Sequence, residues 1–188
     1  MTANRPERII WTIGHSNREA PEFVELLSTH AVRLVADVRR FPGSRRWPQF
    51  GREALAASLA DVGIAYHHFP ELGGRRTAQH EDSPNAGWRV AAFRAYADYL
   101  LTPEGEQAFN ELRTLAEQSR TAMMCAEVLP WRCHRGLLAD RFVALGWRVI
   151  DVMSPGKAPD HALPDFARVD DGRLTYPDRT SEEERFLF

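Results

Sequence analysis

The chain has 188 residues, of which 44% are hydrophobic and 27% are charged, and its formal net charge is −2. These are globular values, and no apolar run approaches the roughly 20 residues of a membrane span, which argues against a membrane partner. Only 2 cysteines are present, too few for a disulfide framework, and the polar N-terminus lacks the apolar core of a signal peptide. We therefore expect one cytoplasmic domain over residues 1–188 that buries a sizeable core.

Strand and helix patterns alternate along the chain. Short runs rich in apolar and β-branched residues predict five strands, at residues 8–13, 32–38, 64–69, 121–126 and 147–152. Apolar residues at helical spacing predict helices at residues 21–30, 53–62 and 88–101, from Pro103 onwards, and after Arg135 as far as Gly146. This order predicts a single-domain α/β fold, Rossmann-like or flavodoxin-like, with a mainly parallel five-stranded sheet flanked by helices. The strand order is left open.

Two further segments have a different character. Asp171 and Gly172 lie between two short apolar runs, which predicts a C-terminal β-hairpin. We expect residues 160–188 to form this hairpin and a tail of the same domain, beside the sheet or in a contact between copies in a homo-oligomer. Residues 76–87 have almost no apolar content, which indicates a mobile lid near the site.

Four polar loops follow predicted strands. They contain His15 and Ser16, Asp37 to Arg45, Glu71 to Arg75, and Cys125 to Arg135. Because the loops at the carboxyl ends of parallel strands share one edge of the sheet, we expect them to form one site. The last loop is the densest in reactive groups, with two thiols, a carboxylate, an imidazole and two guanidiniums.

Arginine carries nearly all of the positive charge, because Lys157 is the sole lysine of the sequence. Five arginines lie between residues 39 and 52 without an acidic residue, and Phe41, Trp47 and Phe50 are interleaved with them. Guanidinium groups match phosphate or carboxylate, and aromatic rings can stack on bases. Genome composition explains an overall arginine bias equally well, but it does not explain this local cluster.

Several short motifs occur in a fixed order along the chain. They are Thr12-Ile-Gly-His-Ser16, Asp37-Val-Arg39 with Pro42 and Ser44, Gly63-Ile64 with Tyr66 and His68, Leu72-Gly-Gly74, Cys125-Ala-Glu127 and Cys133-His-Arg135. Together they resemble the domain of unknown function 488 family, over about residues 9 to 176. The resemblance implies which residues form the site, but that family has no settled activity to carry over.

A first hypothesis for the chemistry is a cysteine nucleophile. Cys133 precedes a predicted helix beside His134 and Arg135, and such a position lowers the pKa of a thiol. Arg135 and the first helix amides would bind an anion. His15 or Glu127 would act as the base, because adjacent residues on a helix point about 100° apart. A half-buried structural cysteine is the alternative.

A second hypothesis is a zinc site. Cys125, Cys133 and His134 would be the ligands and Glu127 the acid and base, in a pattern superficially similar to that of zinc deaminases. The spacing argues against it, because one short loop joins the two halves and no Cys-x-x-Cys is present. We therefore predict no cofactor and no metal ligand, with zinc as an alternative.

In a third hypothesis the cysteines are structural. Asp37, Glu71 and Glu127 would then provide acid and base, while Arg39, Arg45 and Arg135 bind a phosphate or carboxylate. A structural ion-pair network would have the same composition, and Asp37 and Arg39 are equally well explained as a simple salt bridge.

The sequence thus favours an enzyme of the hydrolase or transferase type that acts on a small phosphate-bearing molecule or a nucleic-acid component. A non-catalytic nucleotide or nucleic-acid binding module and a zinc-dependent hydrolase are the alternatives. The candidate catalytic residues are Cys133, Glu127, His15, Asp37 and His134. The candidate substrate-binding residues are Ser16, Arg39, Ser44, Arg45, Glu71, Gly73, Gly74, Arg75 and Arg135.

Overall fold

The computed structural model describes residues 7–43, 45–77 and 82–178 and confirms the predicted α/β fold. The parallel sheet consists of β1 (Ile9–Gly14), β2 (Leu34–Asp37), β3 (Ala65–His68), β4 (Thr121–Cys125) and β5 (Arg148–Val152). The helices that flank it are α1 (Ala20–Thr29), α2 (Arg52–Ala60), α3 (Ala91–Tyr99), α4 (Pro103–Gln118) and α5 (His134–Ala144). The predicted hairpin is formed by β6 (Arg168–Asp170) and β7 (Arg173–Thr175), which pair antiparallel. No helix within these ranges is long and apolar enough to cross a membrane.

Local sequence accounts for where the helices begin. The Thr102 side chain accepts a hydrogen bond from the backbone N–H of Gly105 at 3.2 Å, and Pro103 follows it in the first helical turn. α4 therefore starts where the sequence predicts. α3 begins three residues later than residue 88, because Trp88 instead packs its ring edge-on against Phe166 of the C-terminal region.

The strand order is β3-β2-β4-β1-β5. It differs from both common doubly wound orders, because β4 is inserted between β1 and β2. The apolar side chains of α1 and α2 pack on one face of the sheet, and those of α3, α4 and α5 on the other. The loop after β4 therefore lies between the loops after β1 and β2 but turns to the opposite face. Such a switch in direction opens a crevice at the carboxyl ends of the strands.

Alternation along β4 determines which way its last residue points. Ala122 and Met124 pack in the core on the α1 and α2 side, whereas Met123 and Cys125 pack on the side of α3 and α5. The Cys125 thiol therefore points towards the start of α5.

The described part of the segment 76–87 is anchored, which does not fit the expectation of a mobile lid. Asn85 is buried, and its side-chain amide donates to Asp98 of α3 at 2.7 Å. Its side-chain oxygen accepts from the backbone N–H of Tyr176 at 3.0 Å. Residues 78–81 lie outside the described ranges. The segment thus connects α3 to the C-terminal hairpin.

Candidate functional site

A cleft of about 600 Å³ opens at the carboxyl ends of β2 and β4, and we call it the arginine cleft. Four arginines line it, namely Arg39, Arg40, Arg75 and Arg132. Its wall also contains two phenylalanines and the groups able to react, namely Phe41, Phe93, Cys125, Glu127, Cys133 and His134. The loops after β2, β3 and β4 therefore contribute to one cleft. The loop after β1, with His15 and Ser16, is also predicted to lie there, but none of its described residues is among those that line the cleft.

Three of these residues form a compact group, the Cys-Cys-His cluster of Cys125, Cys133 and His134. Their ligand atoms all lie within 4.8 Å of one another. The Nδ1 atom of His134 lies 3.6 Å from Cys133 Sγ and 3.9 Å from Cys125 Sγ. Its Nε2 atom lies 2.9 Å from the carbonyl oxygen of Val38. Since a carbonyl only accepts, Nε2 carries the proton and the Nδ1 lone pair faces both sulfurs.

Both thiols are buried, and their sulfur atoms lie within 4.8 Å of each other. The neighbouring Cys133 thiol, acting as a hydrogen-bond partner, holds the pKa of the Cys125 thiol well below the value of an ordinary thiol, although burial opposes the shift. The neighbouring Cys125 thiol and burial raise the pKa of Cys133 well above that value. Because the two thiols titrate as a pair, one proton leaves the pair more readily than the other.

Cys133 caps α5. Its sulfur accepts from the backbone N–H of Arg135 at 3.5 Å, and its backbone is extended. A 3-10 turn at Pro130–Arg132 brings Cys133 back to the end of β4, so that two residues eight apart in sequence meet. That Cys133 is a nucleophile stays a prediction. In the structure the His134 imidazole contacts the sulfurs of both Cys133 and Cys125.

Two glycines permit this close packing. A Cβ atom at Gly74 would lie 2.5 Å from the His134 ring, and a Cβ atom at Gly14 would overlap the carbonyl group of Glu127. Any larger residue at either position would push apart the loops that form the arginine cleft. Gly14 of the Gly-His motif and Gly74 of the Gly-Gly motif thus allow one loop to lie close to another.

Asp37 and His15 hold Arg39 at the edge of the arginine cleft. The carboxylate of Asp37 accepts from Nε and Nη2 of Arg39 at 2.8 and 2.6 Å and from the Tyr66 hydroxyl at 2.7 Å. Nε2 of His15 lies 3.2 Å from Nη1 of Arg39, and Nδ1 of His15 lies 2.9 Å from the Ser16 carbonyl oxygen.

Neither Asp37 nor His15 fits its predicted catalytic role in this arrangement. Asp37 is 0% exposed and its carboxylate is occupied by Arg39 and Tyr66. Burial lowers the pKa of His15, and both of its ring nitrogens already have partners. Their common effect is to orient Arg39, so they are positioning residues, and the salt-bridge alternative describes Asp37 and Arg39 correctly.

Arg135 does not fit its predicted role in anion binding. Its side chain is 0% exposed, and its guanidinium donates to the carbonyl oxygens of Glu127 at 2.7 Å and Val128 at 2.9 Å. Its Nε donates to the Thr12 hydroxyl at 3.1 Å. These bonds fix the shape of the loop after β4, so the charge of Arg135 is used within the fold.

Three other arginines are free to meet a ligand. Arg40, Arg75 and Arg132 are exposed and line the arginine cleft. Among the described residues, none of the three forms an ion pair with a carboxylate. Neither Arg40 nor Arg132 is among the substrate-binding residues predicted from the sequence, although Arg40 directly follows a predicted site residue and Arg132 lies inside the densest motif.

The remaining predicted substrate-binding residues lie outside the lining of the cleft. Arg45 and Glu71 are exposed, Ser16 is half-buried, and Gly73 is buried against the backbone of Arg40. Ser44 lies outside the described residues. Of the predicted set, the structure brings Arg39, Gly74, Arg75, Glu127, Cys133 and His134 together in one cleft.

Comparison with known proteins identifies a family and no activity. The family model described as "Domain of unknown function DUF488" matches residues 19–142. This range covers more than half of the chain and confirms the family that the motifs indicate. No curated protein and no solved structure matches the chain.

Proposed function

We propose that the chain, which belongs to the DUF488 family, is an enzyme that acts on a phosphate-bearing substrate in the arginine cleft. The observation that supports this most directly is the set of exposed guanidiniums of Arg40, Arg75 and Arg132 around a reactive cluster, none of which forms an ion pair with a described carboxylate. Guanidinium groups bind phosphate through two parallel hydrogen bonds, and they remain charged at every physiological pH. Both cysteines are free thiols, which agrees with a reducing, cytoplasmic location.

Exposed aromatic rings favour a nucleotide or a nucleic-acid component as the substrate. Phe41 is 68% exposed and lines the arginine cleft, and Trp131 is 60% exposed on the loop after β4. Large apolar rings on a polar surface indicate a binding partner when they accompany a cluster of arginines. Stacking of a base on such a ring adds about 1–3 kcal/mol, which complements phosphate binding.

The reacting groups line the same cleft. Glu127 is the one exposed carboxylate among the described residues that line it, so it is the proposed general acid and base. The Cys-Cys-His cluster lies beside it at the end of β4. In this proposal the arginines orient the phosphate and Glu127 exchanges a proton with the group that reacts.

A cysteine nucleophile is the second candidate chemistry. The sulfur of Cys133 accepts a helix amide and lies 3.6 Å from an imidazole nitrogen, two contacts that favour a thiolate, whereas its neighbour Cys125 and burial raise the pKa of Cys133 and oppose it. This version predicts rapid alkylation of the metal-free protein by iodoacetamide at pH 7 with loss of activity. A rate equal to that of a free thiol would contradict it.

Binding is tested by calorimetry with nucleoside monophosphates, nucleoside triphosphates and short oligonucleotides at low salt. We expect Arg40→Ala and Arg132→Ala each to weaken binding by about 10-fold, because each removes a charge-assisted hydrogen bond. Arg45→Ala is the matched control, since Arg45 is an exposed arginine outside the cleft lining. Equal affinities for all three variants would contradict the proposed binding site.

Turnover separates the enzyme from a binding module. The ligands that bind are incubated with the protein, and products are measured by mass spectrometry. We expect Glu127→Gln to retain the affinity and to lower the turnover rate by at least about 100-fold. Arginine-dependent binding without any product would favour the non-catalytic binding module.

A further inference from the structure

We propose that the Cys-Cys-His cluster is a zinc site with three protein ligands, Cys125 Sγ, Cys133 Sγ and His134 Nδ1. The three atoms lie within 4.8 Å of one another, and all three residues line the arginine cleft. Thiolate and imidazole are the donors that zinc prefers in proteins. The binding of the ion stands on this geometry alone, whereas its part in a reaction rests on the function proposed above.

The spacing of the donors fits a tetrahedral ion. Bond lengths of about 2.3 Å for Zn–S and about 2.0 Å for Zn–N place a nitrogen and a sulfur about 3.5 Å apart at a tetrahedral angle. The observed separations from His134 Nδ1 are 3.6 Å to Cys133 and 3.9 Å to Cys125. Both N–S separations are therefore within a few tenths of an ångström of the tetrahedral value. The two sulfurs lie within 4.8 Å of each other, against about 3.8 Å around a tetrahedral ion, so binding requires them to move closer by at most about 1 Å.

The imidazole is already oriented for such an ion. Nε2 of His134 donates to the Val38 carbonyl at 2.9 Å, which fixes the tautomer with a free lone pair on Nδ1. The ring also packs edge-on against Tyr96, and Gly74 leaves the space that it occupies. In a histidine that binds a metal through one ring nitrogen, the other ring nitrogen usually donates a hydrogen bond to a group such as a backbone carbonyl.

The protons and charges of binding balance within the cluster. Zn²⁺ replaces the protons of the two thiols, which pass to solvent, and the neutral imidazole donates its lone pair. Two thiolates then offset the two positive charges of the ion, so no net charge is added beneath the guanidiniums of the cleft.

All three ligands line the arginine cleft, so we expect the fourth position of the ion to face it. Three protein ligands and one open position are typical of catalytic zinc, whereas structural zinc has four protein ligands. A water molecule at that position would lose a proton near neutral pH, and Glu127, which lines the same cleft two residues after Cys125, would be the base that accepts it. The phosphate-binding arginines would then present the substrate to a zinc-bound hydroxide.

The sequence spacing argued against zinc, and the three-dimensional arrangement removes that objection. The comparison with deaminases assumed that each half of the site begins its own helix. Here β4 ends at Cys125 and α5 begins after Cys133, and the 3-10 turn at Pro130–Arg132 brings the two sulfurs together. One short loop therefore supplies all three ligands.

The experiment uses the full chain without a histidine tag, purified without chelators. Zinc per chain is measured by mass spectrometry of the elements, and Co²⁺ added to the metal-free protein reports the ligands by its absorption. We expect about one zinc per chain, intense cobalt–thiolate absorption in the near ultraviolet and tetrahedral bands in the visible. Cys125→Ser, Cys133→Ser and His134→Gln should each lower zinc content at least fivefold and weaken the cobalt bands.

Two control variants separate this site from the phosphate site. Glu127→Gln and Arg132→Ala line the same cleft without being ligands, so they should keep the full zinc content. If a ligand variant does not fold, the zinc content and the cobalt spectrum of the wild-type chain still decide whether the zinc site exists. Less than about 0.2 zinc per chain after growth with added zinc, or cobalt bands without thiolate character, would overturn the proposal.

The outcomes also distinguish this proposal from the proposed function. Zinc-free protein that still binds nucleotides through Arg40 and Arg132 would overturn the zinc site alone. One zinc per chain with no arginine-dependent binding of any phosphate ligand would support the zinc site and overturn the proposed function alone. Zinc-free protein with fast alkylation of its thiols would replace the zinc site with the cysteine nucleophile.

Discussion

His161 joins two carboxylates from different elements. Its Nδ1 atom lies 2.7 Å from Asp151 of β5, and its Nε2 atom lies 2.9 Å from Asp140 of α5. Asp140 also accepts from the Tyr176 hydroxyl at 2.7 Å, and Asp151 accepts from the Thr12 hydroxyl at 2.8 Å. A protonated imidazole donates from both nitrogens, so the charged form of His161 satisfies both carboxylates.

The first prediction concerns the pH dependence of stability. Burial acts to lower the pKa of His161, but the hydrogen bonds with Asp140 and Asp151 outweigh it and raise that pKa from 6.5 to about 9. A raised pKa stabilises the fold fully below pH 6.5, and this contribution is lost as the pH rises through 9. We expect the free energy of unfolding to fall by about 3 kcal/mol across this window, measured by urea denaturation.

Two variants separate the contribution of His161 to this pH dependence from that of the other titratable groups. In His161→Gln the part of the pH dependence due to this residue should disappear. His67→Gln, at an exposed histidine on β3, should leave the wild-type profile unchanged. Parallel pH profiles for the wild type and His161→Gln would show that the two carboxylates do not hold the histidine charged.

Some charged side chains are occupied by contacts within the fold, as His161 is, whereas others face the cleft. This difference decides which site residues the sequence could predict. Arg135 and Arg132 lie in one motif, but the Arg135 side chain turns inward to the carbonyls of its own loop and the Arg132 side chain faces the cleft. The sequence shows the sign of the charge at a position but not whether other groups of the protein already occupy that charged side chain. The approximate location of the site followed from strand ends alone, whereas the direction of each guanidinium depends on neighbours distant in the chain.

At the scale of the elements, close contacts at two glycines hold the loops together, since Gly14 of β1 meets the Glu127 backbone and Gly74 after β3 meets the His134 ring. Five parallel strands and their connecting helices were predictable because apolar periodicity is local. The order of the strands was not, since pairing β4 between β1 and β2 depends on contacts more than 80 residues apart in sequence. That order decides which loops meet the Cys-Cys-His cluster.

The second prediction tests this close packing of loops. Gly74→Ala places a methyl group 2.5 Å from the His134 ring, and the ring cannot retreat without losing its bond to the Val38 carbonyl. We expect a loss of about 2 kcal/mol in the free energy of unfolding, measured by urea denaturation. Gly43→Ala is the matched control, because a methyl group there meets nothing within 4 Å. Equal free energies of unfolding for the two variants would mean that the loops can move apart without destabilising the fold.

At the scale of the whole molecule, the C-terminal hairpin is tied to the body of the fold at several points. Leu174 and Tyr176 are buried in the core shared by α3, α4 and α5. Asn85 connects Asp98 of α3 with the backbone of Tyr176. Because of these contacts we expect the hairpin and the sheet to unfold together, as a single domain would.

The last prediction tests whether unfolding is cooperative. Asn85→Ala leaves the Tyr176 N–H and one Asp98 oxygen without these buried partners, so we expect a loss of about 2–3 kcal/mol. Unfolding in urea is followed by tryptophan fluorescence, which includes Trp88 beside Tyr176, and by circular dichroism of the backbone. In one domain both signals shift to lower urea together, because loosening the hairpin removes part of the core that covers the sheet.

Asn110→Ala, at an exposed position of α4, should change neither signal. An early fluorescence transition with an unchanged backbone transition would make the hairpin a separate unit, since Trp88, which packs against Tyr176, would then report the release of the hairpin while the sheet stays folded.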